Sequence, residues 1–208
     1  MIGIAIDFEW AQFPDYVLER SPPPRPGATM LERIPVIRLK GVGSPLTTRP
    51  LDRFPELYLQ LAKADPSPSC HREFAKKFGL LTDRASEDTS YWPEAIERMR
   101  GLINLDRANW MTRDGRYESY EVSRHFTLRF QPKGTDEMEL SVAPANLRAA
   151  LTLQCLAHRA GGARTRSCKA CGEVFEVGGA SGSRSHKAFC SDSCRFNFNN
   201  RRKSAGPC

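Results

Sequence analysis

Apolar positions along the chain recur with two periods, and the change from one to the other separates strands from helices. Residues 2–10 open with IGIAI, dominated by β-branched side chains, and read as a short strand. IPVIRLK, 34–40, gives a second strand, closed by the turn-forming GVGSP. Between them SPPPRPG, 21–27, is a stiff extended connector that suits neither a helix nor a central strand. Helical spacing then takes over. From Asp52 to Ala64 the side chains of Phe54, Leu57, Tyr58 and Leu61 fall on one face. Ser69 to Phe78 aligns Phe74 with Phe78 and stops at Gly79, a candidate left-handed C-cap. Between Thr89 and Leu105, Trp92, Ile96, Met99 and Ile103 repeat at intervals of three and four, with Pro93 in the first turn. DRASEDTS, 83–90, is polar and reads as a loop.

HFTLRF, 125–130, and MELSV, 138–142, joined by QPKGTDE, predict a β-hairpin. Asn146 to Arg159 predicts another helix with Leu147, Leu151 and Leu156 inward and Gly161-Gly162 as its stop. Strands at both ends of a helical middle make residues 1–162 an α+β domain. A smaller unit is expected over 163–208. The larger domain carries no internal repeat, glycine-rich phosphate loop, nucleophile elbow or acidic metal cluster, so its pattern assigns it no chemistry.

Composition changes this picture in two ways. The 208 residues suffice for a medium domain and a small appendage, and 40% hydrophobic with 26% charged residues fits a soluble globular protein. Asp7 and Glu9 interrupt the start where a secretory signal would be apolar, and no run reaches the roughly 20 apolar residues of a membrane span. The expectation is a cytoplasmic protein with no membrane partner, where thiols stay reduced and paired cysteines more often bind metal than each other. The net charge of +7 is also uneven. Arg164 to Cys208 hold nine Lys or Arg against three Asp or Glu, whereas the other 163 residues hold 22 against 21. The positive excess therefore sits in the tail, as a polyanionic partner would favour.

That tail also holds the chemistry. Cys168 and Cys171 are spaced Cys-x2-Cys, and Cys190 and Cys194 Cys-x3-Cys, with 18 residues between the pairs. Zinc takes four thiolate or imidazole ligands in a tetrahedron, and these spacings suit a structural site. Gly172 permits a tight turn whose backbone N–H groups point at the sulfurs. Val174, Phe175 and Val177 supply a short shielding hairpin; GGASGSRS is a flexible loop; KAF leads back to the second pair. Ser191 is a candidate N-cap and Asp192 favours the positive end of a helix dipole, so Cys194 projects from the first turn of a helix reaching about Ser204. Phe198 shares the inner face of Cys194, while Arg195, Asn199 and Arg202 share an outer one. A unit of roughly 45 residues gains too little from apolar burial alone, so metal binding would supply most of its folding free energy.

The knuckle Cys168-Lys169-Ala170-Cys171-Gly172, followed by Phe189-Cys190-Ser191-Asp192-Ser193-Cys194-Arg195 and a basic helix, resembles the treble-clef zinc fingers at the C-termini of many bacterial proteins. Over about residues 164–203 it is similar to the CGNR zinc-finger family, although three residues separate the second pair here, rather than four, and Arg195-Phe196-Asn197 follows instead of Gly-Asn-Arg. The resemblance implies a bound Zn2+ and a role in transcription regulation.

Three readings of function follow. In the first, the finger helix binds DNA or RNA, with Arg195, Asn199 and Arg202 towards a groove and Arg201 and Lys203 on phosphates. A zinc ion with four thiolates contributes minus two, so this surface is only moderately positive and calls for two copies or help from the larger domain. In the second, the finger is a platform that docks a protein partner or closes a homodimer. In the third, residues 1–160 hold a small ligand or an active site. A nuclease would need further His, Asp or Glu groups near the finger, where GGASGSRSHKAF offers only His186, and the balance is against an enzyme. His186 is read as a surface residue or phosphate contact rather than a fifth ligand candidate. His71, His125 and His158 lack an adjacent nucleophile, Cys155 is a core thiol, Cys70 and Cys208 are exposed, and Trp10 and Trp110 are candidates to line a pocket.

Overall fold

The computed structural model describes residues 5–6, 8–13, 16–20, 35–40, 46–82, 86–104, 125–132, 138–179 and 186–204. SPPPRPG, Trp110, Cys208 and most of GGASGSRS lie outside them. The fold is α+β, with helices set against small sheets. No described helix is long and apolar enough to cross a membrane.

The first expected strand is divided. Strand β1 (Ala5–Ile6) runs parallel to β8 (Met138–Pro144), which pairs antiparallel with β7 (Phe126–Pro132). Strand β2 (Trp10–Gln12) turns away to pair with β5 (Leu46–Thr48). A single straight strand cannot serve both sheets. At the break Phe8 is buried and stacks on Trp10, with ring centroids 5.5 Å apart. A third sheet is antiparallel in the order β3 (Tyr16–Arg20), β4 (Pro35–Leu39), β6 (Ser86–Asp88). Strand β6 lies in the segment expected to be a polar loop. Its pairing with β4 is carried by backbone groups, which composition does not reveal, and Thr89 extends it by donating both N–H and Oγ1 to the carbonyl of Pro35.

The first expected helix is also two. Helix α1 (Pro50–Arg53) ends at Phe54, and α2 (Leu57–Lys63) begins after Pro55. Proline disfavours helical backbone in the residue before it, and Phe54 adopts φ −131 and ψ 81. The three longer helices appear close to their expected limits: α3 (Pro68–Phe78), α4 (Tyr91–Asn104) and α5 (Leu147–Ala160). Gly79 has φ 95 but ψ 171, so it closes α3 in an extended positive-φ conformation rather than a left-handed helical one. Asn146 caps α5 by accepting the N–H of Ala149 at 2.9 Å.

One core collects the expected stripes: Leu57, Tyr58 and Leu61 of α2, Phe74 and Phe78 of α3, Trp92, Ile96, Met99 and Ile103 of α4, and Leu147 and Leu151 of α5. Phe54 and Leu156 are half-buried against it. Cys155 belongs to the same core, and burial pushes its thiol up to about 12, leaving it inert. Beyond α5, β9 (Arg164–Ser167) and β10 (Val174–Val177) form the expected hairpin, and α6 (Asp192–Ser204) closes the described chain. The hairpin rests on the helices: Thr165 Oγ1 and Arg159 Nη1 both donate to the carbonyl of Ile103, and Lys63 pairs with Glu173 at 3.1 Å.

Candidate metal centre

The first cysteine pair stands on the turn after β9. Cys168 N–H donates to the carbonyl of Glu173 and Gly172 N–H returns to the carbonyl of Cys168, each at 2.8 Å. Closing so tight a loop puts Gly172 at φ 77, which a side chain would strain; the space around its Cα is open, so the dihedral alone calls for glycine. Lys169 N–H ties the knuckle to the carbonyl of Ala188 at 3.1 Å and so brings up the second pair.

The second pair spans the start of α6. Ser191 Oγ accepts the N–H of Cys194 at 3.2 Å, as an N-cap does, and this fixes Cys194 in the first turn. Phe189 and Phe198 meet with ring centroids 5.3 Å apart on the inner side of the helix. Phe189 joins Phe175, Val177 and Ala170 in a second, small apolar cluster with Cys168, Cys190 and Cys194, while Cys171 is exposed.

The four Sγ atoms of Cys168, Cys171, Cys190 and Cys194 lie within 4.8 Å of one another and could coordinate a metal ion. Cys171 is 3.7 Å from both Cys190 and Cys194, which are 3.5 Å from each other. These separations exceed a disulfide bond by far. A tetrahedron with metal–sulfur bonds of about 2.3 Å requires sulfurs roughly 3.8 Å apart, so the donor set fits such an ion in number, type and spacing. The backbone favours thiolate at the innermost position. Burial raises the Cys168 thiol, but the N–H groups of Cys190, Cys171 and Ala170 outweigh it and bring the pKa down to about 6. The Cys190 N–H lies 3.4 Å from that sulfur.

The remaining candidates are placed less closely. His186 is exposed and outside the thiol cluster. Arg195, Asn199 and Arg201 are exposed on α6, with Arg195 held by Asp192 at 3.2 Å and its guanidinium 5.5 Å from the ring centre of Phe196. Arg202 and Lys203 belong to the same helix, but their side chains lie outside the described ones. Neither His71 nor His158 is a surface residue without neighbours. His71 is buried and stacked on Trp92, with centroids 4.9 Å apart. His158 Nδ1 lies 2.7 Å from Oε2 of Glu176, which also accepts the hydroxyl of Tyr58.

Sequence reasoning missed this Tyr58–Glu176–His158 bridge. The signal was a carboxylate alternating with Phe175 and Val177 in VFEV, hence on the face of β10 that Val174 turns to the main core. The Glu176 side chain is 1% exposed there, and burial, then Glu176, drive the Tyr58 hydroxyl well above its ordinary pKa. No family model, no curated protein and no solved structure matches the chain.

Proposed function

We propose that residues 163–208 form a zinc finger of treble-clef type and that its helix α6 binds nucleic acid, most readily DNA, in a transcription-regulating protein. Cys168, Cys171, Cys190 and Cys194 hold the Zn2+, and the ion makes one rigid piece of the knuckle and the helix. The observation that carries this reading is the division of α6 into two faces. Cys194 and Phe198 face the thiol cluster, while Arg195, Asn199 and Arg201 are exposed. Arginine and asparagine are the side chains that pair bidentately with guanine and adenine edges, and Arg202 and Lys203 continue the basic run towards phosphates. A hollow of about 440 Å3 beside the start of the helix brings Lys187 next to Arg195, although Asp192, paired with Arg195 at 3.2 Å, shares its lining. The body, residues 1–162, anchors the finger through Glu176 and Glu173.

Retention of the intact, zinc-loaded protein on mixed duplex DNA at low salt tests the proposal. Binding should weaken steeply with added salt, and Arg195→Glu with Arg202→Glu should abolish it. Unchanged binding by that double variant removes α6 as the reader.

A second reading has one observation in its favour. Phe196 is 59% exposed on α6, a large apolar side chain set among polar ones. A protein partner or a second copy docking on α6 would cover it, and then the protein would ignore DNA while its mass rises with concentration.

A further inference from the structure

At the starts of α4 and α5 the described residues line an open cavity of about 730 Å3. Its walls include Arg38 of β4, Leu81 and Thr82 of the turn after α3, Glu87 of β6, Ala95 of α4, His125 just before β7 and Arg148 at the start of α5. The backbone of Leu81 clamps two of these side by side. Its N–H donates to Glu87 Oε2 at 3.0 Å, and its carbonyl accepts the N–H of Arg148 at 3.0 Å.

Among the described residues Glu87 and Glu176 each bury a carboxylate oxygen without a hydrogen-bond partner, and of the two Glu87 lines this cavity. The residue is 3% exposed, and its second oxygen, Oε1, has no hydrogen-bond partner. Thr82 Oγ1, which also lines the cavity, makes no hydrogen bond of good geometry either, although the hydroxyl and N–H of Thr82 stand close enough to the Glu87 carboxyl to lower its pKa. Buried polar atoms almost always find partners, and an unpaired carboxylate oxygen in a protein interior is costly. Burial accordingly pushes the Glu87 carboxyl above its usual range, against the opposing pull of the Leu81 N–H, Thr82 and the charge of Arg148. A fold that retains such a group beside a cavity of ligand size leaves an acceptor waiting for a donor. Two guanidinium groups in the same walls, Arg38 and Arg148, with the imidazole of His125, supply the opposite requirement, set against a second wall carboxylate, Asp88, whose Oδ1 accepts the N–H of Ser90. Arg38 is held only loosely, 3.7 Å from Glu19 with both side chains half-exposed.

We propose that this cavity is a binding site for a small organic anion that also carries an N–H or O–H donor. The carboxylate or phosphate of the ligand lies against Arg148 and Arg38, and its donor completes the bonding of Glu87 Oε1. Apolar walls from Val36, Leu81 and Ala95 suit the carbon frame between the two groups. The site is independent of the zinc finger and would stand if α6 bound no nucleic acid.

The test is isothermal titration of the full-length, zinc-loaded protein with two panels, the α-amino acids and the ribonucleoside 5′-monophosphates. The first pairs a carboxylate with an ammonium, the second a phosphate with base and sugar donors, so the panels separate the two sources of the anion. Acetate and inorganic phosphate, which lack the donor frame, are the controls. We expect a member of one panel to bind one to one. Arg148→Ala should weaken it about tenfold or more, as loss of a charge-assisted bond does. Glu87→Gln should weaken it similarly. The partly exposed Arg148→Ala variant keeps the test valid if Glu87→Gln fails to fold. No saturable binding in either panel, binding of acetate or inorganic phosphate as tight as the panels, or full affinity in Arg148→Ala overturns the proposal.

Discussion

The hydroxyl of Tyr58 donates to Oε2 of Glu176 at 2.5 Å, across 118 positions of sequence, and so ties α2 of the body to the strand that leads out of the cysteine knuckle. The same oxygen meets Nδ1 of His158 at 2.7 Å, while Oε1 has no partner. A buried carboxylate with so few bonds depends heavily on each of them. Tyr58→Phe should therefore lower stability by about 1–3 kcal/mol although it removes a single oxygen. Urea midpoints of the full-length protein measure this. In a Glu176→Gln background the cost should shrink, because the charge that made the bond strong is gone; equal costs in the two backgrounds would show that the pair is not coupled.

A second prediction concerns the break at Pro55. In an unbroken helix the carbonyl of Phe54 would accept the N–H of Tyr58. Here the side-chain amide of Gln154, from α5, stands between them: Oε1 accepts the Tyr58 N–H at 3.1 Å and Nε2 donates to the Phe54 carbonyl at 3.0 Å. Gln154 thus replaces a missing backbone bond from another helix. Gln154→Leu fills nearly the same volume but leaves the Tyr58 N–H unpaired in the interior, while the Phe54 carbonyl keeps the N–H of Leu57 at 3.1 Å, and should cost about 1–3 kcal/mol. Thermal unfolding decides it. A loss under about 0.5 kcal/mol, on the order of a surface substitution, would mean that water takes over the Tyr58 N–H.

These two bridges also mark where sequence reading stops. Helices α3, α4 and α5, the hairpin of β7 and β8 and the core stripe from Trp92 to Ile103 were legible, because each is signalled by neighbours in sequence. The cysteine pairs were legible for the same reason: two short spacings and a capping serine specify both halves of the cluster locally. Strands β3, β5 and β6 were not, since segments of three to five residues owe their state to a distant partner rather than to their own pattern. The roles of Glu87, Gln154 and Glu176 were equally hidden. Composition gives a glutamate or glutamine the look of a solvated polar group, and only the tertiary fold buries these three side chains.

His71 gives the protein a predictable acid sensitivity. Neither of its ring nitrogens has a partner, and burial drives its pKa down to about 4, with Asp65 pulling weakly the other way. The folded value lies below the 6.5 of the free side chain, so neutral His71 contributes stability that is complete above that pH and is lost as pH falls towards 4. At about 1.36 kcal/mol per pKa unit the loss between pH 7 and pH 5 is about 2 kcal/mol. Glu87, with its raised pKa, works in the opposite sense, so the measurement is a comparison of the natural protein with His71→Phe. Phenylalanine keeps the stack on Trp92 and breaks no hydrogen bond. The variant should be the more stable by about 2 kcal/mol at pH 5 relative to the difference at pH 7. Parallel pH profiles would mean that His71 does not stay neutral in the fold.

Removal of the metal proposed for the thiol cluster should loosen the tail in two stages rather than one. The hairpin of β9 and β10 is fastened to the body by bonds that need no ion: Tyr58 and His158 on Glu176, Lys63 on Glu173 and Thr165 on Ile103. Helix α6 has Cys190 before it and Cys194 within it, besides the packing of Phe198 on Phe189. It is 13 residues long, and helices of that length are marginal in water without tertiary support. Chelation should therefore abolish amide-exchange protection over Asp192–Ser204 while Arg164–Ser167 and Val174–Val177 keep most of theirs. Hydrogen-exchange mass spectrometry on the full-length protein, with metal content measured on the same sample, follows both segments at once. Protection of α6 that survives complete loss of metal would show that the thiol cluster does not hold the helix, and would take away the rigid support on which the nucleic-acid reading rests.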